Sequence, residues 1–285
     1  MSYDIAVIGG GPAGLSAVVT GRIRNKSVIL FDHMGMSPKL RRAHKVENYL
    51  GLPGMDGNEL VAAFEKHALS YEPEWVKEKV TAIFPGEESF TLLTADKTFE
   101  AKTIIMAIGT PSAAALPGEK EFLGRGVSYC ATCDGQFYRG RTVAVVATAP
   151  EAAEEALYLA ELCKEVVYFP RYRTGEVPEH ANLRVEKAAP QAIIGEQTVT
   201  AVRTDKGDIA ADGVFLLRES DPVDSILAEL QTQDGAICVD ASMATNVPGV
   251  FAAGDCTGRP WQISRATGQG LTAVLSAISW LAKKG

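Results

Sequence analysis

Cys130-Ala131-Thr132-Cys133 places two cysteines one helical turn apart, and Asp134 follows directly. On such a turn both sulfurs point to one side, close enough to form an exchangeable disulfide. One thiolate of a pair like this attacks a substrate disulfide and the other resolves the mixed disulfide. Asp134 adds a carboxyl group able to move the proton that the exchange relocates. Half of a zinc site is the alternative reading, and it requires further ligands at paired spacing. Cys163, Cys238 and Cys256 stand singly, and His33, His44, His67 and His180 are scattered, so no metal is expected. Cys163, in a helical stretch, and Cys238, in an apolar strand, are expected to be small buried hydrophobes; packing is also the expectation for Cys256.

A second constellation lies at the N-terminus. Gly9, Gly11 and Gly14, with Pro12 and Ala13 between them, follow the apolar strand 5–8 and precede helix-compatible residues. This is the G-x-G-x-x-G context of a dinucleotide-binding turn. The first glycine makes the tight turn, the second lets a pyrophosphate approach the backbone, and the third packs helix on strand. The next strand, 27–31, ends in Asp32, an acid placed for an adenosine ribose. Far downstream, strand 249–253 closes on Gly254-Asp255, and a helix is expected after Trp261-Gln262; alone, that pair is only a turn signal.

These motifs need a large soluble scaffold, and the composition provides for one. The 285 residues are 46% hydrophobic and 22% charged, enough for one large core or two moderate ones. A net charge of -7 disfavours nucleic-acid phosphates as partners. The apolar stretch 271–282 is too short to span a bilayer and reads as a packed helix, so no membrane partner is expected. The first residues run straight into a strand without room for a signal peptide, and the expected location is the cytoplasm.

The segment Gly124-Arg125-Gly126-Val127-Ser128-Tyr129-Cys130-Ala131-Thr132-Cys133-Asp134-Gly135 resembles the active-site signature of low-molecular-weight thioredoxin reductases, and the resemblance extends over nearly the whole chain. It implies an α/β fold with two Rossmann-like nucleotide-binding domains of the thioredoxin reductase type. The FAD domain would be discontinuous, residues 1–112 and 239–285, with an inserted NAD(P)-like domain, 113–238, that carries the cysteine pair. By the same resemblance Gly9, Gly11, Pro12, Ala13, Gly14, Asp32, Asn48, Val80, Gly109, Gly254, Asp255 and Gln262 hold FAD, with Asp255 on the ribityl chain and the strand end Ala107-Ile108-Gly109-Thr110 nearby. Cys133 would face the flavin, Cys130 would engage the substrate and Asp134 would be the acid-base group. One FAD per subunit, a homodimer, and rotation of the inserted domain about linkers near 112–117 and 236–241 are further implications.

The chain departs from that family where NADPH should bind. Strand 142–146 leads into Ala147-Thr148-Ala149-Pro150-Glu151-Ala152, with no glycine in the turn. Methyl groups at 147 and 149 crowd the backbone a pyrophosphate must approach, and any left-handed residue there costs about 1 to 2 kcal/mol. Pro170 and Tyr172 replace members of the basic cluster for the 2'-phosphate, leaving Arg171 and Arg173. A donor other than NADPH is therefore expected.

In this respect the sequence is similar to pyridine-nucleotide-independent thioredoxin reductases fed by ferredoxin. Electrons falling from a plant-type ferredoxin to thioredoxin would drop roughly 130 mV, about 6 kcal/mol per pair. The basic run Lys39-Leu40-Arg41-Arg42-Ala43-His44-Lys45 is a candidate contact for an acidic donor, and a solvated loop is its alternative. Ser37-Pro38-Lys39 stands where the family has a Gly-Gly-Gln loop. Two other readings stay open: an oxygen-dependent dithiol oxidase, and a diflavin enzyme whose second FAD stacks on Trp261 or Tyr172.

Overall fold

The computed structural model describes residues 2–33, 35–109, 115–148, 150, 152–172, 177–218 and 223–284. Thr110, Ala149, Glu151 and Arg173, and the linker positions 112–114, lie outside them. Strand β1 (Ser2–Ile8), helix α1 (Pro12–Ile23) and strand β2 (Val28–Phe31) open the chain. They are followed by α2 (Pro38–Arg41), α3 (Gly57–Leu69), β3 (Glu74–Val76), the hairpin β4 (Ala82–Pro85) and β5 (Phe90–Leu93), and the long β6 (Thr98–Met106). Next come β7 (Val127–Ser128), α4 (Ala131–Asp134), β8 (Thr142–Ala147), α5 (Ala152–Leu162), β9 (Glu165–Pro170) and β10 (Leu183–Val185). An antiparallel trio, β11 (Pro190–Gly195), β12 (Val199–Thr204) and β13 (Gly207–Ala210), precedes β14 (Gly213–Leu217). The chain closes with α6 (Val223–Ile226), β15 (Thr232–Gln233), β16 (Ala236–Ile237), β17 (Val250–Ala252) and α7 (Ile263–Lys284).

Two compact units result, residues 1–111 with 222–285, and residues 112–221. In the first, β3, β2, β1, β6 and β17 pair in parallel, and the β4–β5 hairpin continues from the N-terminal half of β6. Alternation along β1 fills both faces: Ile5 and Val7 pack toward α1 and α7, while Ala6 and Ile8 pack on the opposite side with Leu92, Ile104 and Val250. A strand covered on both faces reads as a continuous apolar run, as 5–8 does. In the second unit β10, β9, β8, β14 and β7 are parallel. Val143, Val145 and Ala147 of β8 meet α5, and Ala144 and Val146 meet the side covered by the antiparallel trio. The α/β class with two Rossmann-like sheets is thus observed.

The return to the first unit falls at 222, where the sequence analysis placed it at 239. Val223, Ile226, Leu227, Leu230 and Ile237 bury their side chains in the first unit's core, so segment 223–238 belongs there by packing. Residues 236–241, read above as a linker, include β16 and buried Ile237 instead. Cys238 also departs from expectation: it follows β16 and is only half-buried, whereas Cys163 and Cys256 are buried. Among the described residues, no helix is long and apolar enough to cross a membrane.

Candidate functional site

Two sites are described, one in each unit. In the first unit the glycine loop joins β1 to α1. Gly9 has φ +107°, and a Cβ there would lie 2.3 Å from the Ala107 carbonyl oxygen, so this turn requires glycine. At Gly14 a Cβ would sit 1.9 Å from the Gly9 oxygen, whereas at Gly11 it would meet nothing within 4 Å. The close helix-strand approach and the open approach for a ligand therefore belong to different glycines, as the motif expects. Pro12 starts α1, and its N-cap Gly11 offers no side-chain cap, so the first amides of the helix are left for an anion.

Two other expected cofactor residues, Asp32 and Gly254, lie against the same loop. Gly254, just past β17, has φ +85°, and a Cβ there would approach the Ala13 methyl to 2.9 Å; one at Gly270 of α7 would lie 2.1 Å from the Ala13 oxygen. Asp32 is buried, accepts the Met36 N–H through Oδ2, and stands behind Gly10. Asn48 and Gln262, which are 214 residues apart, are brought together by a 2.8 Å bond from Asn48 Nδ2 to Gln262 Oε1. Gly109 follows β6 with φ +83° and open space before it. Val80 is a core side chain, which leaves only its backbone to face a ligand. The glycine loop, the bare helix start and the two residues against the loop fit an FAD. Replacing Gly14 with alanine is expected to cost about 1 to 3 kcal/mol or more through overlap with backbone that cannot swing away. Gly11→Ala should keep the circular dichroism spectrum and unfolding midpoint but lose flavin on gel filtration; full flavin retention in Gly11→Ala would count against this loop as the cofactor cradle.

Asp255 lies half-buried beside the loop. Burial raises its carboxyl above the usual range, opposed by the charge of Lys39, whose Nζ is 3.6 Å from Oδ2, and by Arg265. Lys39 was expected as part of a basic run and of the Ser37-Pro38-Lys39 segment; chain folding makes it a partner of Asp255. Gln269 of α7 is a further residue the sequence analysis missed, accepting the Gly254 N–H at 2.9 Å. Nothing local in the sequence marked it.

In the second unit Cys130 and Cys133 form a disulfide, with Cα atoms 5.3 Å apart. Cys130 is the N-cap of α4, and its sulfur accepts the Cys133 N–H at 3.2 Å. Ser128 Oγ accepts the Cys130 N–H, and Glu155 Oε2, from α5, accepts the Ala131 N–H. Ser128 and Glu155 were also missed, because the contacts join separate elements or a side chain to a backbone two residues away. Cys130 is 9% exposed and Cys133 half-buried. The Asp134 carboxylate has no hydrogen bond among the described residues, which leaves it available as a proton carrier. Phe137, on the 3-10 turn that follows, is 75% exposed beside the pair.

The altered turn of this unit follows β8. Ala147 is fully buried, with its carbonyl taken by the Arg171 N–H at 2.7 Å. Tyr172 hydrogen-bonds Tyr168 through the hydroxyls at 3.0 Å and packs on the core under α5. Glu154 and Glu155 occupy the first turn of α5, where carboxylates stabilise the helix and repel another anion. Cys163 and Cys256 are pushed up by burial to about 11 and about 12, so both are thiols at neutral pH. Among the described residues no cluster of His, Cys, Asp or Glu could hold a metal.

The family model for pyridine nucleotide-disulphide oxidoreductases matches residues 3–270. The thioredoxin reductase of Helicobacter pylori is 34% identical over 306 residues, 98% of each chain. The crystal structure of a ferredoxin-flavin thioredoxin reductase from Clostridium acetobutylicum superposes with a TM-score of 0.95 at 42% identity, covering 99% of this chain and 98% of that one. A thioredoxin reductase from Gloeobacter violaceus gives a TM-score of 0.85 at 33% identity, covering 99% and 95%.

Proposed function

The chain belongs to the pyridine nucleotide-disulphide oxidoreductase family, and from that premise we propose that it reduces the disulfide of thioredoxin with electrons from a ferredoxin rather than from NADPH. The chain is a thioredoxin-reductase-like flavin disulfide oxidoreductase. One observation carries the choice of donor. The inserted unit has a glycine-free turn leading into a helix whose first turn holds Glu154 and Glu155, the reverse of what a pyrophosphate needs. The 42% identical ferredoxin-flavin enzyme supports the same reading.

Gly9, Gly11, Pro12, Ala13, Gly14, Asp32, Asn48, Val80, Gly109, Gly254, Asp255 and Gln262 are the residues we assign to FAD. When bound, a flavin accepts single electrons and passes them on in pairs, which suits an iron-sulfur donor and a disulfide acceptor. Two reduced ferredoxins and two protons then convert one substrate disulfide to two thiols. Within the protein, the Cys130 sulfur of the oxidised pair accepts the Cys133 N–H, a donor already placed to meet that sulfur after reduction. Cys130 attacks the substrate disulfide, forming a mixed disulfide and releasing one substrate thiolate. Cys133 then attacks the Cys130 sulfur, restoring the Cys130–Cys133 bond and releasing the second thiolate. Asp134 supplies a proton to a departing sulfur. Exposed Phe137 gives the substrate protein an apolar contact beside the pair.

Anaerobic spectroscopy of the flavin-loaded protein tests the donor. Reduced ferredoxin should bleach the flavin, thioredoxin should restore its colour, and NADPH should leave it oxidised. Rapid bleaching by NADPH would overturn the ferredoxin reading.

A further inference from the structure

In a chain of net charge -7, Lys39 and Arg265 both act on Asp255, and Lys39 shares one ring with a further cation, Arg259. Lys39 Nζ lies 4.6 Å from the centroid of Trp261, and Arg259 Cζ lies 4.2 Å from the same centroid. Trp261 is 39% exposed, and Arg259 is exposed with no carboxylate partner among the described residues. Arg265 donates to the Gly258 and Thr257 carbonyl oxygens, which holds the loop that carries Arg259. Lys39 also reaches Asp255, so the stack begins at the cofactor residues and ends at solvent. Next to it, the Asn48–Gln262 bond ties in the loop that bears Leu50, 96% exposed.

Elsewhere in the basic run, Arg41 and Lys45 are matched by carboxylates. Arg41 pairs with Glu65 at 2.9 Å and Lys45 pairs with Glu47. Among Lys39, Arg41 and Lys45, Lys39 is the one whose contacts lead to the Asp255 site. Arg259, exposed and without a carboxylate partner among the described residues, and Lys39, shared between Asp255 and the ring, place positive charge on Trp261 that can steer an acidic protein. Cations above an aromatic face retain their charge while their stems and the ring supply apolar contact. Tryptophan and arginine are also the side chains that most often anchor protein interfaces.

We propose that the Lys39–Trp261–Arg259 stack, with Leu50 at its rim, is the docking surface for the acidic one-electron donor. This rests on the ferredoxin reading above and assigns that reading a place on the molecule. The charge complementarity selects an acidic protein, and the position beside Asp255, which the reading above assigns to FAD, brings the donor to the cofactor site.

Stopped-flow reduction of the flavin-loaded protein by reduced ferredoxin, with reduced methyl viologen as a small cationic donor for comparison, tests the assignment. Arg259→Glu is expected to slow ferredoxin roughly tenfold to a hundredfold at low ionic strength, with the deficit shrinking as salt is raised. Viologen reduction and flavin content should not fall, and Arg259→Lys should retain most of the ferredoxin rate. Equal ferredoxin rates in wild type and Arg259→Glu, or a slowing that salt does not relieve, would overturn the docking surface and leave the ferredoxin reading standing. Failure of ferredoxin to reduce even the wild type would remove that reading, and the docking surface with it.

Discussion

Cys130→Ser is expected to lower thioredoxin reduction by roughly three orders of magnitude or more while the protein keeps its fold and its flavin. Serine is close to isosteric but its hydroxyl stays protonated at neutral pH, and oxygen cannot form the mixed disulfide through which exchange proceeds. Cys133→Ser should behave differently in one respect: Cys130 can still attack, so the variant traps substrate as a mixed disulfide that a reductant releases. Neither of the buried free thiols can stand in. Cys163 and Cys256 sit at about 11 and about 12 and are enclosed by core side chains. In Cys130→Ser, ferredoxin should still bleach the flavin, but thioredoxin should no longer restore it. Turnover within about tenfold of wild type in either serine variant would exclude this pair as the redox centre.

The second large effect is on stability. Arg218 and Glu119 form a buried bidentate pair, with nitrogen-oxygen distances of 2.6 and 2.7 Å and side chains 4% and 1% exposed. Glu119 also accepts the Leu116 N–H at 2.8 Å and the Tyr129 hydroxyl at 2.9 Å, so its carboxylate is satisfied on every side the fold presents. Tyr129 adjoins Cys130, and the pair therefore backs the active turn. Arg218→Met leaves a carboxylate buried without its counter-charge, which is expected to cost about 3 to 5 kcal/mol. Glu119→Gln strands the guanidinium at a similar cost. Replacing both residues with apolar ones of similar volume should cost far less than the sum, because no uncompensated charge remains. Urea unfolding followed by circular dichroism reads the loss, and hydrogen exchange at the Tyr129 amide locates it. Single variants with an unchanged urea midpoint would show that the pair is not intact in solution.

Features with local causes were legible from residue order. The Gly9–Gly14 loop, its strand and its helix were read correctly because tight turns and close backbone approach depend on neighbouring residues. The Cys130–Cys133 turn and the survival of α5 behind a glycine-free turn were legible for the same reason: their spacing and apolar period are short-range. The Asp234-Gly235 turn, with φ values of 52° and 78°, also carried a local hairpin signal between β15 and β16. That signal accounts for β16 within the segment 236–241 that the sequence analysis expects to be a linker.

What only tertiary structure decided involves partners separated along the chain. Asn48 meets Gln262 across 214 residues, and Glu119 meets Arg218 across 99. No period or motif links such residues; the sheet order that brings β17 beside β6 and β14 beside β8 does. The return at 222 was set by which core could bury Val223, Leu227 and Leu230, and that is a competition between surfaces absent from the linear chain. The same holds for the basic run: residue order counts its charges, but only packing determines which carboxylate each meets, and it brings Lys39 and Arg259 together over Trp261.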